Sequence, residues 1–431
     1  MKITKTQKFF DIAAFISFLP ISLSPILALL AGTVSFETNT YVFFANISSY
    51  LALTTLILYV FGIICGEVKI QREHIVKNNL GLCLMWLFLV FVFISTASVG
   101  FNDLTVHGQQ IRQEGILRYI SYIVLFTLAT TVKNRKFFNS LLYIFVCGIT
   151  ISAIVFVILN VFDINWTSVN SDGYTHRYKT SGILHNPNHY AYLLSATCGI
   201  LAGVIFFSKK KFLIGFSIVV FAINFAALIY NKTLGSVLAV IAVVIFALGI
   251  IFFKLSAKAK KFTLIGLGVV IVGGIVYLFT DNPLTQKIGE TLDIVKKGGA
   301  EADKLGSGRF GLWRSTLEYI KEKPLIGYGP DGISKSLLEE QGAARTHNIF
   351  LEYTAFFGIP AALVFITGYV LIFIKSLKNF TSANVTALLG CFAITMSLVT
   401  GISFGQTSPV LYMLLGMSIA QLRSEDEISF R

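Results

Sequence analysis

Apolar residues run through this chain in long blocks, and polar residues collect in the gaps between them. Twelve such blocks lie near 9–31, 45–66, 80–99, 115–131, 137–161, 188–208, 212–230, 233–253, 262–280, 346–374, 383–403 and 406–422. Blocks of this length suit helices that cross a hydrocarbon core about 30 Å thick. Only helices and closed barrels satisfy their backbone in lipid, and these blocks lack the alternation of barrel strands. The pattern therefore predicts an all-α fold, a polytopic transmembrane bundle of about 12 spans. The first block follows Lys2, Lys5 and Lys8 and has no small-residue cleavage site. With further spans behind it, it is expected to be a retained anchor.

Two gaps are longer than the rest, residues 162–187 and residues 281–345. The chain is accordingly divided into 1–280, with spans one to nine and the outer loop 162–187; 281–345, a large helical extracytoplasmic loop; and 346–431, with spans ten to twelve and a short tail. In the long loop, Phe310, Trp313, Leu317 and Ile320 are expected to form one helical face, with Pro324 as the stop. "LIGYGPDG" is a turn cluster, and "ISKSLLEEQG" predicts a second short helix ended by Gly342.

Composition agrees with this reading. The chain is 55% hydrophobic and only 13% charged, against about a quarter charged in soluble proteins. Its net charge of +13 is concentrated in alternate connections: Lys69, Arg72 and Lys77; Lys133, Arg135 and Lys136; Lys209 to Lys211; Lys254, Lys258, Lys260 and Lys261; Lys375 and Lys378. This positive-inside pattern predicts a multi-pass membrane protein with both termini cytoplasmic. The basic balance is then topological, and no nucleic-acid partner is expected. The five cysteines lack metal-site spacing and are expected to serve packing. His185 and His189 have no carboxylate close by in sequence, so no metal site is expected.

Ionisable groups at membrane depth are functional candidates by default. Asp11, Arg118, Lys232 and Glu352 lie within or at the edges of spans, and Arg345 and His347 stand at a helix entrance. His347 is the candidate base: an imidazole accepts and returns a proton near neutral pH, and a helix start disfavours its charged form. Arg177, Lys179, Lys232, Arg309, Arg314 and Arg345 are basic against the positive-inside trend, and together they suit an anionic ligand at the outer face. Asn186 and Asn188, flanking Pro187 in "HNPNHYAY", either cap a helix or bind sugar hydroxyls. Ten basic and ten acidic residues in 281–345 make any anion site there a local one. There is no phosphate-binding lysine loop, serine elbow or paired-carboxylate motif, so nucleotide-driven chemistry is not expected.

Three of these stretches carry a resemblance. His347-Asn348, nine residues, then Gly358 and "IPA" resemble the His–Asn motif of the O-antigen ligase and polymerase superfamily of bacterial membrane glycosyltransferases. "GRFGLWRSTLEYIKEKPLIGYGPDG" is similar to its Arg–Trp helix and glycine turn, and "RYKTSGILHNPNHYAYLL" to its Arg, Gly, Pro-Asn signature. Asn231-Lys232 stands where the family often has Ser-Arg, which keeps the charge without the planar fork.

The resemblance implies transfer of a polyprenyl-pyrophosphate-linked glycan to an acceptor sugar hydroxyl outside the cytoplasm, with inversion. It implies no cofactor and no metal. His347 would be catalytic; Arg177, Lys232, Arg309 and Arg345 would bind the donor pyrophosphate. Trp313 and Asn348 would support the motif or the glycan, alongside Asn186 and Asn188. The donor, the acceptor and the bilayer would be partners, with a chain-length regulator as a further one. A surface-polysaccharide polymerase is the leading reading. A ligase to another acceptor and a transporter of the same lipid-linked glycan remain open. So does a peptidoglycan-type polymerase using Asp331 or Glu301 as its acid.

Overall fold

The computed structural model describes residues 5–31, 40–68, 79–109, 112–169, 175–184, 186–254 and 308–422, with residues 293, 294, 296, 298, 299, 303, 305 and 306. The predicted span at 262–280 and Glu301 lie outside these. Eight described helices are long and apolar enough to cross a membrane. They are α1 (Lys5–Ala31), α2 (Thr40–Ile64), α3 (Leu80–Val99), α6 (Arg135–Val161), α8 (Pro187–Phe207), α9 (Lys211–Asn231), α10 (Leu234–Lys254) and α14 (Ile359–Lys378). Three further predicted spans correspond to shorter apolar helices: α5 (Ile116–Thr131), α15 (Ser382–Leu398) and α16 (Ser408–Met417). The smaller elements are α4 (Asp103–His107), a hairpin of β1 (Thr167–Val169) and β2 (Thr175–Arg177), α7 (Tyr178–Ser181), α11 (Arg309–Glu322), α12 (Ser334–Gln341) and α13 (Ile349–Phe357). The block expected at 346–374 is thus two helices broken at Gly358.

Helix α8 is the axis of the bundle, with almost every residue from His189 to Val204 buried. Small residues bring α15 against it. A Cβ at Gly199 would fall 2.4 Å from the Leu389 carbonyl oxygen, and one at Gly203 would fall 2.5 Å from Thr386 Cα. In lipid, where apolar side chains gain little from mutual burial, such close backbone approach supplies the packing that holds helices together. Helices α2, α9 and α10 are peripheral and expose apolar faces, as lipid-facing helices do.

Three of the basic connections, at 133–136, 209–211 and 375–378, lie at one end of the bundle, and those at 69–77 and 258–261 lie outside the described residues. Arg135, Lys209, Lys210 and Ser382 line one cavity of about 330 Å³. The Lys133 N–H donates to Asp11, and Lys375 donates to Asn79. Helices α6, α8 and α9 run from there to Asn160, Pro187 and Asn231, about 30 Å away for 21 residues of helix. Those three residues line a second cavity at the far end.

Helix α11 departs from the expected face. Leu312, Thr316 and Ile320 are buried, whereas Phe310 and Leu317 are each 46% exposed. The periodicity was sound, but the buried stripe lies on an adjacent row of the helix. The "PLIGYGPDG" turn then threads against the break between α13 and α14. The Tyr328 and Gly329 N–H groups donate to the Ala355 and Phe356 carbonyls, and the Ile359 N–H donates to Pro324. Gly358 has φ +88°, and a Cβ there would meet the Leu325 carbonyl oxygen at 2.2 Å, so only glycine fits.

Gly199→Val should overpack the α8–α15 contact and destabilise the protein by about 1–3 kcal/mol or more. Thermal unfolding in detergent would show a lowered melting temperature. Gly215→Ala, with no atom within 4 Å of the new methyl group, should leave it unchanged or slightly raised.

Candidate functional site

At the end of the bundle opposite the basic connections lies a buried knot of charge. Arg345 is 2% exposed. Its guanidinium meets Glu352 at 2.6 Å, Asp331 at 2.8 Å and Glu114 at 3.1 Å, with the Phe356 ring 5.2 Å from its centre. Each carboxylate has further partners. Tyr122 donates to Glu114 at 2.6 Å, and Ser403 lies 3.0 Å from both Glu114 and Glu352. Asp331 accepts from the Gln109 N–H and the Ser334 hydroxyl, and Arg112 stands 3.8 Å away. Burial opposes ionisation of Asp331, yet Arg345 and Arg112 outweigh it and hold the carboxyl below its usual range. Burial also opposes the Arg345 charge, and the three carboxylates overcome it and raise its pKa further.

His347 follows two residues later. Asn348 caps α13, its side-chain oxygen accepting from the Phe350 and Leu351 N–H groups at 3.0 and 3.1 Å. His347 itself has φ +53°, a left-handed conformation costing a non-glycine residue about 1–2 kcal/mol. Its Nδ1 atom is buried and meets no hydrogen-bond partner among the described residues. Burial first, then the charges of Arg309 and Arg345, lower its pKa to about 4. The ring is therefore neutral at physiological pH.

Arg309 opens α11 beside this ring. Its Nε donates to the Thr400 carbonyl at 2.9 Å and its Nη1 to the Gly306 carbonyl at 2.8 Å. Among the described residues it pairs with no carboxylate, unlike Arg314, which is held by Asp303. Trp313, one turn on, has a buried indole N–H without an acceptor among the described residues and a ring 5.5 Å from Phe310.

Arg177 and Lys232 stand apart from this group. Together with Lys179 they line the second cavity, about 360 Å³, beside Trp166, Pro187 and Asn231. Lys179 is paired with Asp163, whereas Arg177 and Lys232 are exposed and have no carboxylate partner among the described residues. Lys232 closes α9 in a left-handed conformation, φ +61°. Asn186 caps α8 by accepting from the Asn188 N–H at 2.8 Å. Asn188 accepts from Thr233 at 3.3 Å and Asn231 donates to the Pro187 carbonyl at 3.1 Å, tying the two loops that carry the cations.

One segment, residues 399–407, joins these parts. Thr400 lies against Gly235 and accepts from Arg309; Ser403 touches Glu114 and Glu352; Phe404 packs on His189; Gly405 lies beside Arg112 and Arg118. The expected cations thus fall into three settings: an open cavity wall, the neighbourhood of His347, and the buried knot. Arg112, Glu114 and Ser403 were not singled out from sequence. The available signal was "RQEGILRY", where two arginines and a glutamate stand at the mouth of an apolar run. Asp331, the candidate acid of the peptidoglycan-type reading, is 1% exposed and committed to ion pairs.

The O-antigen ligase family matches residues 219–366, a stretch containing Lys232, Arg309, Trp313, Arg345, His347 and Asn348. No curated protein matches the chain.

Arg345→Ala should strand three buried carboxylates and cost about 3–5 kcal/mol of stability. The measurement is the yield and melting temperature of purified protein; an unchanged melting temperature would show that the knot does not hold the fold.

Proposed function

We propose, from the O-antigen ligase/polymerase superfamily that the match over residues 219–366 supports, that this chain is an inverting membrane glycosyltransferase acting at the extracytoplasmic end of its bundle. It takes a polyprenyl-pyrophosphate-linked oligosaccharide and most closely fits a surface-polysaccharide polymerase. The observation that carries the reading is His347, held neutral beside Arg309, whose charge no carboxylate answers among the described residues.

In the reaction, the acceptor hydroxyl oxygen attacks the anomeric carbon from the face opposite the leaving group. The carbon–oxygen bond to pyrophosphate breaks, its electron pair leaves on the polyprenyl pyrophosphate, and the hydroxyl proton passes to His347. Arg177 and Lys232 receive the donor pyrophosphate in their cavity, and Arg309 faces the charge that develops as the bond breaks. Fixed cations serve where other transferases use a metal, so transfer should persist in excess chelator. Arg345 leaves the list of pyrophosphate ligands; its carboxylates already answer its charge, and it positions His347. Asn186 and Asn348 act as helix caps, and Trp313 offers an indole N–H and a ring to the glycan.

The cationic surroundings link donor binding to base strength. In the free protein burial and, after it, Arg309 and Arg345 depress the imidazole; a pyrophosphate oxygen that reaches Arg309 answers the one of these charges that no described carboxylate meets and makes His347 a better base in time for the chemical step.

A ladder of products from purified protein and a lipid-linked repeat unit alone would establish a polymerase. Reaction only after a separate acceptor is added would establish the ligase reading instead. His347→Ala should lower the rate by about 10²–10⁴-fold with the protein still inserted; a transporter would keep moving substrate. Lys232→Ala should weaken donor use more than Lys232→Arg, and equal activity in the two would remove Lys232 from the site. His347 works as the neutral ring, so activity should fall as pH drops through its pKa. The acidic limb of kcat/KM, which reports free protein, should therefore lie near pH 4, and that of kcat, which reports the donor complex, at higher pH. Coincident limbs would sink the link between donor and base.

A further inference from the structure

The cavity of about 330 Å³ at the basic end of the bundle lies far from His347 and has no part in the transfer chemistry. Arg135 at the start of α6, Lys209 and Lys210 leading into α9, and Ser382 at the start of α15 form its polar side. No acidic side chain among the described residues lines it. Its inner wall is apolar, made by the buried Leu142 of α6 and Ile200 and Val204 of α8. Tyr143, which also lines it, is 42% exposed, so the cavity reaches the outer surface of the bundle.

Basic residues at one end of a membrane bundle need no ligand to explain them, because the positive-inside bias places them there. Here they have in addition a concave setting. Lys209 and Lys210 are exposed and have no carboxylate partner among the described residues. Three helices, α6, α9 and α15, begin at the cavity, so the positive ends of their dipoles converge on it. Asn134 and Thr381 cap the first and the last of these, whereas α9 starts at Lys210 with no side-chain cap. Its first N–H groups are therefore left to an external acceptor. A free anion would use only the cationic side of this cavity, and an uncharged lipid only the apolar side. An amphiphile with an anionic head uses both.

We propose that this cavity binds an anionic phospholipid, its phosphate held by Lys209, Lys210 and the start of α9 and its acyl chains lying along Leu142, Val204 and Tyr143. The site stands apart from the glycosyltransferase reading and does not rest on it. Thr386 lines the cavity and also meets Gly203 in the close contact between α8 and α15. The bound lipid thereby fastens the peripheral helix α9 to the axis of the bundle, and the stability of the protein follows the anionic lipid content of its membrane.

The test is native mass spectrometry of the full chain in detergent with added phosphatidylglycerol, alongside thermal unfolding. Wild-type protein should retain this lipid and melt at a higher temperature with it than with phosphatidylcholine. Lys209→Gln combined with Lys210→Gln should weaken binding by about 30-fold. Lys211→Gln combined with Lys378→Gln removes the same charge from exposed positions that do not line the cavity, and should leave binding unchanged. Ser382→Glu sets a carboxylate in the first turn of α15, where the helix favours it. It should abolish binding without lowering the melting temperature of the lipid-free protein. Equal weakening in the two double variants would reduce the effect to general surface charge and overturn the proposal. Equal retention of phosphatidylcholine, displacement by inorganic phosphate, or lipid kept by Ser382→Glu would overturn it as well. Removal of residues 423–431, which include Glu425, Asp426 and Glu427, should leave the affinity as it is; binding seen only after that removal would make this segment the occupant and refute the lipid site.

Discussion

The structure depends on how a guanidinium is accommodated away from water. Arg345 is buried at the end of the bundle, and an ion so placed is tolerated only with partners close by. Three carboxylates supply them: Glu114, far off in sequence before α5, with Asp331 in the glycine turn and Glu352 on α13 closer by. A charge that must be satisfied thereby sews together a span, a connecting turn and a short helix. His347, two residues from Arg345, inherits its position from that knot.

The local electrostatics then divide the cations by function. Where carboxylates are present, at Arg345, Arg314 and Lys179, positive charge is consumed internally. Where they are missing among the described residues, at Arg309, Arg177 and Lys232, positive charge is available to a ligand. Among the described residues, five non-glycine residues have positive φ: Gln113, Asp163, Lys232, Asp331 and His347. The first four belong to the knot, to a cavity wall or to a partner of one, and the fifth is the candidate base itself. Strained backbone persists where surrounding contacts over-determine it, and here it marks the outline of the site.

Most of this architecture was legible in the sequence. The apolar blocks located the described helices, and the charge alternation anticipated that the connections at 133–136, 209–211 and 375–378 share one end, because both follow from transfer to lipid and act locally. Asn186 read as a candidate cap because capping is a matter of a few neighbouring residues, whereas Asn348, expected to support the motif or the glycan, caps α13 by the same local geometry. Arg345 was harder. A cation at a helix mouth looks the same in sequence whether it faces a ligand or is answered by carboxylates brought in by folding. Glu114 was passed over for the same reason. The stripe on α11 misled because Phe310 and Leu317 are apolar but outward, and an amphipathic helix near a membrane has two non-aqueous surroundings rather than one.

The main-chain pairing of residues 324–329 with 355–359 has a consequence for divergence. Carbonyl and amide groups hold the break between α13 and α14, and apart from its glycines this lacing is indifferent to side-chain identity. On the glycosyltransferase reading proposed above, drift in the side chains that would meet the glycan leaves His347 in register, so substrate preference can change while the backbone that holds the ring stays the same.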